Sequence, residues 1–175
     1  MHHYKLVIFD WDGTLMDSVA RIVSSMRSAA IEVGVPTPSE DQAKNIIGMS
    51  IPEALHQLFP TRTEEQDLQL RETYKKYYVE LDNTPTPLFE HAVALLEQLQ
   101  NAGKYIAVAT GKGREGLERV FEATNTKHYF HTSKCGGECL SKPDPQMITT
   151  ILAELEIAPE HAVVVGDTTF EWHGT

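Results

Sequence analysis

The stretch Val7-Ile8-Phe9-Asp10-Trp11-Asp12-Gly13-Thr14-Leu15 decides how the rest of the chain is read. The β-branched and aromatic run from Lys5 to Phe9 predicts a buried strand that stops at two carboxylates, a glycine and a threonine. Side chains alternate along a strand, so Asp10 and Asp12 project to the same side at its carboxyl end. In open parallel α/β sheets that edge is where ligands bind. Two like charges this close repel, and a metal ion is the simplest way to offset the cost. The competing reading of the same residues is a D-G turn after a strand, with solvated aspartates.

Three later segments bear on the choice. Val108-Ala109-Thr110-Gly111 reads as a strand ending in a hydroxyl residue. Ser141-Lys142-Pro143-Asp144-Pro145 places a lysine in a K-P-x-P context, and Val163-Val164-Val165-Gly166-Asp167-Thr168 is a strand running into an aspartate. Together with D-x-D-G-T at Asp10, these four segments resemble, in order, the four signatures of the haloacid dehalogenase-like hydrolases. The resemblance covers nearly the whole chain.

Length and composition agree with a globular protein of this kind. The 175 residues suit one domain or a core with one modest insertion, and 41% hydrophobic with 23% charged residues is ordinary. The start Met1-His2-His3-Tyr4 lacks the basic-then-apolar pattern of a signal peptide, and no apolar run approaches a membrane span. A cytoplasmic protein without a membrane partner is therefore expected. A net charge of −10 disfavours nucleic acid, whose binding rests on neutralising phosphates. An anionic substrate must then be attracted locally, by a metal, a lysine and backbone N–H groups. The two cysteines, Cys135 and Cys139, make no disulfide scaffold. With His128 and His131 they form a spacing uncommon for structural zinc, so they read as a short strand and loop leading to Lys142.

Periodicity supplies the architecture. Val19, Ile22, Val23, Met26, Ala29, Ala30 and Val33 recur at the spacing of one helix face, and Gly34 and Pro36 end that helix. Ser39-x-x-Gln42, Ser50-x-x-Glu53 and Thr63-x-x-Gln66 predict three further helix starts. Asn83-Thr84-Pro85-Thr86-Pro87 reads as a stiff linker. Helices are then expected at 91–102, 113–124 and 145–157, with strands at 105–110 and 161–166, the βαβ pattern of a parallel sheet. The expected fold is thus α/β. A Rossmann-like parallel-sheet core (residues 1–16 and 86–175) carries an inserted helical segment (17–85), which the resemblance identifies as a four-helix cap.

The resemblance also implies the chemistry. It makes Asp10 the nucleophile and Asp12 the acid and base. Thr110 becomes a hydroxyl donor to the phosphoryl group, and Lys142 a positive charge for the nucleophile. Trp11, Gly48, Gly111 and Lys112 would contact the substrate. Mg²⁺ would be held by Asp10, the main chain of Asp12, and Asp167. The family's dehalogenases lack the second aspartate, so hydrolysis of a small-molecule phosphate monoester is favoured, of phosphoglycolate or sugar-phosphate type. A phosphomutase on the same chemistry, or a weakly active or inactive shortened member, are the alternatives.

The family's fourth signature continues with a further aspartate, a helix, a fifth strand and a last helix, where this chain has Glu171-Trp172-His173-Gly174-Thr175. The C-terminal edge of the core therefore reads as truncated. Restoring one base within the Glu171 codon would read Asp, then Met or Val, then Ala, as in the family's usual continuation, so a frameshift is one expected explanation. An unpaired sheet edge would then favour self-association.

Overall fold

The computed structural model describes residues 3–166. Among these, strands β1 (Leu6–Phe9), β2 (Tyr105–Gly113), β3 (Thr132–Gly136) and β4 (Ala162–Val165) form one sheet in the order β3-β2-β1-β4. Every pairing is parallel: Phe9 lies opposite Val108 on one side and Val165 on the other. Connecting parallel strands requires crossovers, and helices supply them. Those of the sheet-bearing unit are α5 (Ala92–Asn101), α6 (Arg114–Thr124) and α7 (Gln146–Leu155).

Strand alternation splits the core in two. Val7, Phe9, Ile106 and Val108 face one side and pack with Leu96, Leu117, Val120 and Phe121 from α5 and α6. Leu6, Ile8, Ala107 and Ala109 face the other and pack with Met147, Ile151 and Leu152 of α7. A strand apolar on both faces is what a sheet covered on both sides requires. The fold is therefore the parallel α/β sheet expected from the periodicity. One boundary differs. β2 runs on to Gly113 because Gly113 pairs with Gly136 after a register shift beyond Ala109, so Thr110 and Gly111 lie inside an irregular strand end. Local periodicity carries no trace of that long-range pairing.

The chain divides into two compact units: Met1–Met16, Gly48–Ser50 and Leu88–Thr175 form one, and Asp17–Ile47 with Ile51–Pro87 the other. The second unit is helical, built from α1 (Val19–Val33), α2 (Glu40–Lys44), α3 (Ile51–Leu58) and α4 (Glu64–Lys76), the last continued by a π-helical turn at Tyr77–Leu81. Ser39 with Gln42 and Thr63 with Gln66 make the reciprocal bonds of the capping box. Gly34 ends α1 at φ 86°, a conformation cheap only for glycine. Met26, Ala29, Ala30, Leu55, Phe59 and Leu70 form this unit's own core. Its two chain ends are tied where the Asp17 N–H donates to the Pro87 carbonyl, 2.7 Å away.

β4 is the terminal strand of the sheet among the described residues, with Val165 38% exposed. Asp167, Glu171 and the rest of the expected C-terminal pattern lie outside those residues.

Cys135, on β3, sits fully inside the first core cluster, whereas Cys139 is half-buried. Burial pushes the Cys135 thiol up to about 12, against 9.0 for a free thiol. Its thiolate fraction at pH 8 is then lower by about a thousandfold, and the thiolate is the reactive form. A thiol reagent at pH 8 should label Cys139 in the native protein and reach Cys135 only on unfolding. Two equally fast thiols in the native state would contradict this burial.

Candidate active site

The site is built at the carboxyl ends of β1 and β2. Asp10 follows β1 directly and is 1% exposed; its N–H continues the sheet by donating to the Val165 carbonyl, 3.0 Å away. Both carboxylate oxygens are engaged. Oδ1 accepts the Trp11 backbone N–H at 2.7 Å, and Oδ2 lies 3.0 Å from the Lys142 ammonium. The side chains of Asp10 and Lys142 are each 1% exposed, so this is a fully desolvated ion pair.

After Asp10 the chain folds back on itself. The N–H groups of Thr14, Leu15 and Met16 all point at the Trp11 carbonyl, and Gly13, at φ 79°, donates to the Met16 carbonyl. This tight loop carries Asp12 at its tip. Trp11 turns the other way: its indole is buried among Phe121 and Phe130, and its Nε1 lies 3.4 Å from Met16 Sδ. Trp11 thus meets the site through its backbone N–H, held by Asp10, while its side chain belongs to the core.

On β2, Thr110 is 1% exposed and its Oγ1 accepts the Lys112 N–H at 3.1 Å. With a lone pair occupied in this way, the hydroxyl hydrogen is left to donate. The Lys112 ammonium lies 3.6 Å from Asp12 Oδ2, both side chains being largely buried. Asp10, Asp12, Thr110, Lys112 and Lys142 are therefore brought to one end of the sheet. No motif spacing links Lys112 to Asp12.

Gly48 and Gly111 meet through the backbone. A Cβ on Gly111 would come within 2.6 Å of the Gly48 and Met49 carbonyl oxygens, and one on Gly136 would collide with the Gly111 carbonyl oxygen. Glycines at the ends of two adjacent strands thus leave a seat for the segment Gly48–Ser50, itself turned by Gly48 at φ 99°. Ser50, which the capping pattern assigns to the start of a helix, also accepts a hydrogen bond from Ser141 Oγ at 3.3 Å, next to Lys142.

The loop bearing Lys142 is secured at its other end by Arg114, the first residue of α6. Its guanidinium binds Glu138 through two nitrogens (2.8 and 3.1 Å) and also the Ser133 hydroxyl and carbonyl. Glu138 in turn accepts the Cys135 N–H at 2.8 Å. The Arg114 hydrogen bonds hold the Glu138 carboxyl below the usual carboxylate range. Nothing in the spacing of Arg114 and Glu138 reveals this pair.

The chain matches the haloacid dehalogenase-like hydrolase family across residues 7–174. It is similar to a phosphoglycolate phosphatase of Vibrio cholerae, with 30% identity covering 96% of this chain and 78% of that protein. It is also similar to the tyrosine-protein kinase PtkA of Mycobacterium tuberculosis, with 33% identity over 97% of this chain. It spans only 58% of that kinase. A crystal structure of a predicted phosphoglycolate phosphatase from Haemophilus somnus superposes with a TM-score of 0.82 at 25% identity, covering 95% of this chain and 78% of that one. The chain belongs to the haloacid dehalogenase-like hydrolases.

Proposed function

From that membership, we propose that the protein is a magnesium-dependent phosphatase that hydrolyses a small-molecule phosphate monoester, of phosphoglycolate or sugar-phosphate type, through an aspartyl-phosphate on Asp10. The observation that carries this reading is the desolvated Asp10–Lys142 pair, with Asp12 on the adjoining loop. A carboxylate stripped of water is a stronger nucleophile than a solvated one, and the ammonium beside it offsets the charge of an approaching dianion.

The donors here suit a hard cation, because the Asp10 carboxylate and the Asp12 backbone carbonyl are both oxygens. Asp167 is the proposed third ligand and lies outside the described residues. Among the described residues no three His, Cys, Asp or Glu side chains cluster in a way that could hold a metal. When bound, Mg²⁺ supplies positive charge to the phosphoryl oxygens.

The remaining steps belong to the chain's own residues. Asp10 attacks phosphorus as the ester P–O bond breaks, and Asp12 gives its proton to the departing alcohol oxygen. Asp12, now a carboxylate, takes a proton from the water that attacks the aspartyl-phosphate. That attack releases inorganic phosphate and regenerates Asp10. Thr110 donates its hydroxyl hydrogen to a phosphoryl oxygen throughout. Gly48, Gly111 and the Trp11 main chain border the substrate. The helical unit is assigned the role of cap, which excludes water and selects the alcohol portion of the ester.

A chromogenic aryl phosphate should be hydrolysed with Mg²⁺ and lose its turnover in chelator. Asp10→Asn should fall below about 1% of parent activity with its fold intact. Turnover that survives chelation, or an Asn variant above that level, would overturn the reading. The outer edge of β4 is also proposed to pair with a second copy of the chain. Light scattering should then show mass rising with concentration; a monomer at all concentrations would refute that pairing.

A further inference from the structure

We propose that Lys112 is a positioning residue: it aims the Asp12 carboxylate rather than gripping the substrate. This rests on the phosphatase reading, in which Asp12 protonates the leaving group. Each carboxylate of the D-x-D pair has an ammonium of its own. Lys142 holds Asp10 at 3.0 Å, and Lys112 stands 3.6 Å from Asp12 Oδ2. The second separation exceeds a direct hydrogen bond, so it works as an electrostatic tether on Asp12 Oδ2.

The course of the Lys112 stem supports this role. It lies across Gly116 in the first turn of α6, where a Cβ would stand 3.2 Å from Lys112 Cε and 3.3 Å from Cγ. Glycine within a helix costs about 1 kcal/mol relative to alanine, and here its missing side chain makes room for the stem. The backbone of Lys112 is fixed as well, by its N–H bond to Thr110 Oγ1. One residue therefore orients the hydroxyl through its main chain and the acid through its side chain. Orientation matters because a general acid must come within about 3 Å of the atom it protonates, while the terminal torsion of aspartate is intrinsically broad.

A residue that acts through the acid has a signature that a substrate contact lacks. Alkyl leaving groups need protonation and aryl leaving groups do not. Parent, Lys112→Met and Gly116→Ala should be compared on an alkyl phosphate and on a chromogenic aryl phosphate, with Mg²⁺ present. Lys112→Met should lose about 30-fold or more in kcat on the alkyl ester, about 3-fold or less on the aryl ester, and leave KM within about 2-fold on both. Gly116→Ala should show the same asymmetry at about 3- to 10-fold, and it carries the test if Lys112→Met does not fold. In an Asp12→Ala background, Lys112→Met should add no further loss on the alkyl ester.

Equal losses on the two esters would overturn the proposal, as would a rise in KM with kcat unchanged on both. Those outcomes would place the amine on the phosphoryl group. A parent that hydrolyses both esters while the losses are equal removes only this role for Lys112. A parent that hydrolyses neither removes the phosphatase reading and this inference with it.

Discussion

The side chains of Asp10 and Lys142 lie 3.0 Å apart and are 1% exposed, so neither can recover its hydration. Removing one partner of such a pair typically costs about 3–5 kcal/mol, because the other charge is left buried, whereas the intact pair contributes little net stability. Much of the architecture around the site serves this constraint. β1 must end at Phe9 so that Asp10 emerges at the sheet's carboxyl edge, and its N–H bond to Val165 continues the ladder one residue further. The Lys142 loop, remote in sequence, is secured by Arg114 through Glu138 on one side and by Ser141 against Ser50 on the other.

The glycines express the same requirement at the backbone. Gly111, near the end of β2, and Gly136, the last residue of β3, carry no side chain, and the chain segment Gly48–Ser50 occupies the space. Although the residues on either side of it belong to the helical unit, this three-residue segment belongs to the sheet-bearing unit. An alanine at Gly111 would meet main-chain atoms at 2.6 Å, and backbone can yield only by moving the segment as a whole. The core supports the arrangement from beneath: Trp11 packs edge to face on Phe121 and Phe130, which stack on each other, and the cluster fixes the turn on which Asp12 stands.

The features legible in the sequence were those encoded over a few residues. Two-sided apolar runs marked β1 and β4, 3.6-residue periodicity marked α1, and the Ser39 and Thr63 patterns marked helix starts that the structure shows with both reciprocal bonds. The strand-end carboxylates were legible for the same reason. Features created by residues distant in sequence were not. The extension of β2 depends on Gly136, the Lys112–Asp12 tether spans a hundred positions, and the Arg114–Glu138 clamp joins a helix start to a loop. The motif brings Trp11 to the substrate through its backbone N–H, a reading that leaves open where the indole goes, and packing with the core settles that. Asp167, named from its motif alone, lies outside the described residues.

The central claim is that Asp10 becomes covalently phosphorylated, and trapping the phosphorylated enzyme tests it most directly. Enzyme mixed with a phosphate ester radiolabelled in its phosphoryl group, with Mg²⁺, would be quenched in acid within a single turnover and mapped by peptide. The account predicts label on the peptide containing Asp10, released by hydroxylamine as an acyl phosphate should be, and absent from Asp10→Asn. Label on a serine, threonine or tyrosine side chain, or product formed with no labelled enzyme at any time, would contradict it.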